Sequence, residues 1–203
     1  LMPAYDADRF DPPAPVAYVT LRHPTTGASA SDVPLLMDTG ADVTLLPQEF
    51  VEPRDVRRIV RQELRIEETT PLVGFVANFH PDKAPLDFIA VAEKIATILP
   101  NVRFCMAGHG PLEETMRRAI SQAHLGERLS LLGFRKDILE VIASFDLLLL
   151  TSVAREASST VIKQAAALGV PVIATDVGGT REIIDDGRTG ILVKAGDIET
   201  LVA

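Results

Sequence analysis

A chain of 203 residues, 47% hydrophobic and 24% charged, has room for one full α/β core or for one domain plus a fragment, and its composition is globular rather than disordered. The formal net charge of -8 excludes a general polyanion binder, because tracking phosphates needs a basic surface, and no nucleic-acid partner is expected. The single cysteine, Cys105, excludes an internal disulfide and suits a reducing compartment.

The start, "LMPAYDADRF", carries acids where the basic region of a signal peptide would stand, and its flanks hold no long apolar run. The most apolar stretch, "FDLLLLTSV", is too short to cross a bilayer as a helix. A cytoplasmic protein is the expectation, with a peripheral membrane contact left open.

Residues 1–52 hold eight acids, two arginines and no lysine, a net of -6, and leave -2 for the remainder. They are rich in proline and read as short strands and turns: "VAYVTLRH", a turn at "PTTGASAS", "VPLLMD", then "DVTLL". Beyond Glu52 the rhythm changes. "RDVRRIVRQELR" is a helix with Arg54, Arg57, Arg58, Arg61 and Arg65 on one face and Val56, Ile59, Val60 and Leu64 largely on another. Its arginines are expected to form a solvated face while the apolar side docks, although a basic face can also meet lipid or nucleic acid.

Strand and helix then alternate. "PLVGFVANF" is a strand and "PLDFIAVAEKIATIL" a helix; "VRFCMAG" is a strand followed by a helix opening at "PLEETMRRAI". "RLSLLGF" and "DLLLLTS" are strands around the short helix of "DILEVIAS". Helix "STVIKQAAAL", strand "PVIAT", a helical turn at "TREII", strand "GILVK" and a helix starting at Asp197 complete the chain. Six apolar strands alternating with helices predict an α/β, doubly wound, Rossmann-like parallel sheet, preceded by a short β-rich appendage. The domain boundary falls between residues 52 and 53.

Ligands of such a sheet bind beyond the carboxyl ends of its strands. There, "EASST" leads from Glu156 through small residues into a helix beginning near Thr160, whose unpaired amides and dipole favour a phosphate. Glu156 would accept from a hydroxyl, and Gln164 lies further into the same helix. The structural alternative makes Ser158 or Ser159 an N-cap and Glu156 a solvated carboxylate. Lys83 would bring a mobile charge to a diphosphate, or be an ordinary surface lysine. "VGGTRE" reads as a Gly-Gly turn with Thr180 capping a helix. His23, His80, His109, His124 and Cys105 have no ligand spacing, so no metal is assigned, and Cys105 reads as a core residue.

Residues 54 to 203, about three quarters of the chain, resemble the C-terminal donor-binding domain of family 4 GT-B glycosyltransferases. The residues that carry this are "VGFVANFHPDK", "VRFCMAGHGPLEE", "LSLLGFRKDI", "DLLLLTS" and "REASSTVIKQAAALGVPVIATDVGGTREIIDDGRTGILVKAGDIETL". The resemblance implies transfer of a sugar from a nucleoside diphosphate sugar to a sugar, lipid or small-molecule acceptor, with retention and no essential cofactor or metal. It also implies an N-terminal acceptor domain, which this chain lacks. Carried over, Lys83 meets the diphosphate beside the Ser159, Thr160 and Val161 backbone, and Glu156 holds donor-sugar hydroxyls. Gln164 reaches the ribose, the base lies near Arg135 and Lys136, and Asn78 and Gly108 line the mouth. The chain departs from the pattern at Gln164 for a second glutamate, Asn78 for a basic residue, and Ala84 and Ala157 for glycines.

"LLMDTGADVTLL", within residues 1–52, resembles the start of a retropepsin-like aspartic protease, with Asp38 of Asp38-Thr39-Gly40 as the catalytic carboxylate. The flap and later strands of such a subunit do not follow, and no second Asp-Thr-Gly or Asp-Ser-Gly occurs. The segment reads as a truncated piece without competent protease activity. A third reading is a non-catalytic module that binds a nucleotide without turnover.

Overall fold

A computed structural model describes the backbone of residues 4–6, 14–22 and 29–36, then residues 53–154 and 156–203, the side chains of 53–56 excepted. Asp38 and the predicted strand at 42–46 lie outside the described residues. The backbone divides into two compact units, residues 1–52 and 53–203.

In the first unit, β1 (Ala4–Asp6), β2 (Ala14–Arg22) and β3 (Ser29–Leu36) form an antiparallel sheet in that order. Val16 faces Ala4 on one side and Leu36 on the other, and the register of β2 against β3 shifts between Val19 and Leu21.

The second unit opens with α1 (Pro53–Glu63) and continues β4 (Leu72–Val76), α2 (Pro85–Ile98), β5 (Arg103–Ala107), α3 (Glu113–Gln122) and β6 (Leu129–Gly133). After these come α4 (Ile138–Ala143), β7 (Leu147–Leu150), α5 (Thr160–Ala167), β8 (Val172–Thr175), β9 (Ile191–Val193) and α6 (Ile198–Val202). The six strands are all parallel, in the order β6-β5-β4-β7-β8-β9. The chain therefore builds outward from β4 in one direction, crosses back, and builds outward from β7 in the other. The strand order reverses between β4 and β7, where an open parallel sheet leaves a crevice at its carboxyl end.

The strands are mostly apolar because helices cover both faces: α2 packs with α3 and α6, and α4 with α1 and α5. Phe75, Phe88 and Phe104 stack through the centre, with Phe75 and Phe88 ring centres 5.2 Å apart. Cys105 is a core residue, as predicted, and burial pushes its thiol up to about 12. Asp197 caps α6, accepting from the Thr200 amide at 3.1 Å. Among the described residues no helix is long and apolar enough to cross a membrane.

Two local readings are corrected. The arginine face of α1 is solvated only in part: Arg58 and Arg65 are exposed and Val60 on the apolar side docks, as expected, but Arg57 and Arg61 turn inward. Arg61 is 1% exposed, while Ile59 stands 62% exposed. Arg61 donates to the carbonyls of Ser144, Glu67, Glu68 and Thr70 and to Asp146, and Arg57 joins it on Asp146 at 2.6 Å. Guanidinium donors reach carbonyls of the turn before β4 and of the end of α4, which an apolar face could not do. Thr180 is also not an N-cap: it lies inside a 3-10 turn, Gly178–Glu182, and donates its hydroxyl to the carbonyl of Val177 at 2.7 Å.

Candidate functional site

The strand order puts the carboxyl ends of β4 and β7 side by side, and the loops leaving them carry the chemistry. From β4 the chain runs through Asn78 to a 3-10 turn, Pro81–Lys83, which ends at Ala84 in the left-handed region (φ 43°) before Pro85 opens α2. Thr151, just past β7, donates to the carbonyls of Ala84 at 2.8 Å and Lys83 at 3.2 Å. The amide of Val153 donates to the carbonyl of Asp82 at 2.8 Å. The loop bearing Lys83 is thereby fastened to the loop bearing Glu156.

Glu156 is 8% exposed, so it is not the solvated carboxylate of the structural alternative. Its Oε2 accepts from Lys83 Nζ at 2.6 Å and from the buried Ser152 hydroxyl at 2.9 Å. A buried carboxylate requires such partners. Both fall on one oxygen, and Oε1 takes no hydrogen bond among the described residues, leaving it available to a ligand hydroxyl.

The backbone around Glu156 is fixed from below. The amide of Gly179 donates to its carbonyl at 2.7 Å. A Cβ on Gly178 would lie 2.1 Å from that carbonyl oxygen, and one on Gly179 would lie 2.1 Å from the oxygen of Ala157. The Gly-Gly pair read as punctuation is a close approach that only glycine permits.

Immediately after this loop, Ser159 precedes α5 in an extended conformation (φ -70°, ψ 107°), and its buried side chain makes no capping hydrogen bond. The first amides of α5, those of Thr160 and Val161, have no intrahelical acceptor by construction and present the positive end of the helix. Gln164, one turn further, is 2% exposed, and its Nε2 has no hydrogen-bond partner among the described residues. An orphaned buried amide is costly unless something outside the chain completes it.

On the β5–β6 side, Gly108 approaches so closely that a Cβ would meet the carbonyl oxygen of Ala77 at 1.9 Å, and its amide donates to Gly133 at 2.8 Å. Asn78 is exposed at the mouth. Arg135 forks onto Asp137 and Glu63: Nε reaches Asp137 Oδ1 at 2.8 Å and Nη1 reaches Glu63 Oε1 at 2.6 Å. Hydrogen bonds from Arg135 hold both carboxylates below their ordinary range. Its side chain thus ties α1 to the start of α4, while Lys136 stands exposed beside it.

The structure brings Lys83 and Glu156 into contact beside the start of α5. Sequence reasoning missed Thr151 and Gly179, whose partners are distant in the chain, and Ser152, whose partner Glu156 is only four residues on. It also missed Phe134, 66% exposed, whose ring meets His109 edge-on at 5.6 Å between centres. An aromatic between Gly133 and two basic residues was the available signal.

Residues 56–203 match the family of glycosyl transferases group 1. The chain belongs to that family. Over 144 residues it is 33% identical to N-acetyl-alpha-D-glucosaminyl L-malate synthase of Bacillus anthracis, covering 71% of this chain and 37% of the relative. It is 30% identical over 167 residues to 2-deoxystreptamine N-acetyl-D-glucosaminyltransferase of Streptomyces fradiae, covering 78% of this chain and 39% of that one. Among solved structures, the Anabaena protein HepE in complex with UDP-glucose superposes with a TM-score of 0.67 at 28% identity, over 75% of this chain and 42% of HepE. The chain spans about two fifths of the length of these three proteins.

Proposed function

We propose that residues 53–203 are the donor-binding half of a sugar transferase, which takes a sugar from a nucleoside diphosphate sugar and passes it to a sugar, lipid or small-molecule acceptor with retention. The observation that carries this is the Lys83–Glu156–Ser152 constellation at the strand reversal, beside the start of α5. Lys83 and the amides of Thr160 and Val161, with Ser159, supply the positive field that a diphosphate needs. Glu156 Oε1 accepts from a donor-sugar hydroxyl. Gln164 completes its orphaned amide on the ribose. The base sits by the loop of Arg135 and Lys136, with Asn78 and Gly108 at the mouth. The acceptor approaches across a cleft against a second Rossmann-like domain, for which the greater length of the relatives leaves room.

The UDP-glucose bound by HepE makes UDP-sugars the first donors to try. Calorimetric titration of the 203-residue chain with UDP-, GDP- and ADP-sugars tests the reading. Saturable heat from at least one is expected, and none from any, on folded protein, would overturn it. Product formation with added acceptors separates a transferase from a binding module.

For residues 1–52 the protease resemblance rests on sequence alone. No peptide cleavage that Asp38→Asn abolishes is expected; pepstatin-sensitive, Asp38-dependent cleavage would restore that reading.

A further inference from the structure

We infer that Glu156 competes with the donor's diphosphate for Lys83, so that the site holds a nucleotide sugar in preference to the bare nucleoside diphosphate left after transfer. The inference rests on the donor-site reading above.

Lys83 Nζ lies 2.6 Å from Glu156 Oε2, with the lysine side chain 24% exposed and the glutamate side chain 10%. Charge-assisted hydrogen bonds this short are the strong ones, and a carboxylate so enclosed depends on them. The loop from Ala77 to Lys83, "ANFHPDK", brings one permanent cation to the mouth, and that cation is already engaged. A diphosphate that draws Lys83 away leaves Glu156 with the Ser152 hydroxyl alone. That desolvated charge opposes binding.

A nucleotide sugar compensates for this and a nucleoside diphosphate does not. The sugar brings hydroxyls that donate to Oε1, offsetting the withdrawal of the ammonium from Oε2. After transfer the sugar leaves with the acceptor, the hydroxyl donors go with it, and Glu156 reclaims Lys83. The same carboxylate that reads the sugar therefore promotes release of the spent nucleotide, a step that limits turnover in many enzymes. This assigns Glu156 a second role, acting on the diphosphate through Lys83.

The test is calorimetric titration of the full 203-residue chain with UDP and UDP-glucose, with GDP and ADP and their glucose conjugates in parallel. Glu156→Gln should tighten the bare diphosphate by about three- to tenfold, the range a partly buried ion pair supports. The same change should weaken the sugar nucleotide, so the preference between them shrinks from both sides. Glu156→Asp keeps the charge but withdraws it from Lys83, and should tighten the diphosphate by about twofold.

An unchanged or weaker diphosphate in Glu156→Gln overturns the inference and assigns the phosphate charge elsewhere, Arg155 being nearest in sequence. A gain in Glu156→Gln with none in Glu156→Asp also overturns it, since removal of any negative charge would then suffice. If circular dichroism shows Glu156→Gln unfolded, Glu156→Asp decides alone. Wild-type protein that binds neither ligand overturns the donor-site reading itself, a result distinct from the others.

Discussion

The amide of Gly179 donates to the carbonyl of Glu156 at 2.7 Å, so the turn after β8 fixes the backbone of the residue that presents a carboxylate to the mouth. Glu156 is placed by its main chain from one side and by Lys83 and Ser152 through its side chain from the other.

Gly179→Ala would force a methyl to 2.1 Å from the carbonyl oxygen of Ala157. The loop must move, and Glu156 with it. We expect a stability loss of about 1–3 kcal/mol from overpacking, and at least about tenfold weaker binding of the nucleotide sugar, because small displacements of a positioning group are expensive. Thermal melts and calorimetry measure the two effects separately; unchanged affinity would show that the loop tolerates the methyl.

Ala84 holds φ 43° at the exit of the 3-10 turn, a conformation glycine adopts without steric cost. Ala84→Gly should stabilise the protein by about 0.5 kcal/mol, the relief of left-handed strain less the added freedom of the unfolded chain. The denaturation midpoint should rise slightly, with no change in denaturant dependence. A fall would mean that the methyl packs usefully.

Arg61→Ala removes a fully buried guanidinium that serves four carbonyls and Asp146. Losing one member of such a network costs about 3 kcal/mol, or roughly 6–12 °C in midpoint for a chain this size. Arg58→Ala, on an exposed residue of the same helix, should cost under about 0.5 kcal/mol.

Burial pushes the Asp146 carboxyl up, but the bonds from Arg57 and the Leu72 amide and the charges of Arg61 and Arg57 together hold it below the ordinary range. A depressed folded value means that its contribution is fully present above the unfolded value, near 4, and is lost as pH falls through the folded one. Acid titration of stability should therefore decline below about pH 4, and Asp146→Asn should flatten that part of the decline. An identical acid limb in the variant would show that Asp146 does not contribute to it.

The sequence by itself determined the six strands and most of the helices of the second unit, because strands buried on both faces leave unmistakable apolar runs such as "DLLLL" and "LVGFV". It also marked Lys83, Glu156 and the start of α5 as candidates, because they follow strands whose carboxyl ends form the mouth of such a sheet, although an N-cap, a solvated carboxylate and a surface lysine read the same in sequence. The rest was decided by the tertiary structure. Lys83 and Glu156 are 73 residues apart, and only the side-by-side placement of β4 and β7 lets one neutralise the other. Gly178 and Gly179 read alike whether they merely turn the chain or make room for it; the carbonyl of Glu156 lying against them is a fact of packing. On α1 the charge pattern held for Arg58 and Arg65 but pointed the wrong way for Arg57 and Arg61, because a helical wheel assumes that arginines seek water. Where carbonyls of a turn and of a helix end converge with a carboxylate, a buried guanidinium meets them better than water does, and no periodicity in the chain records that.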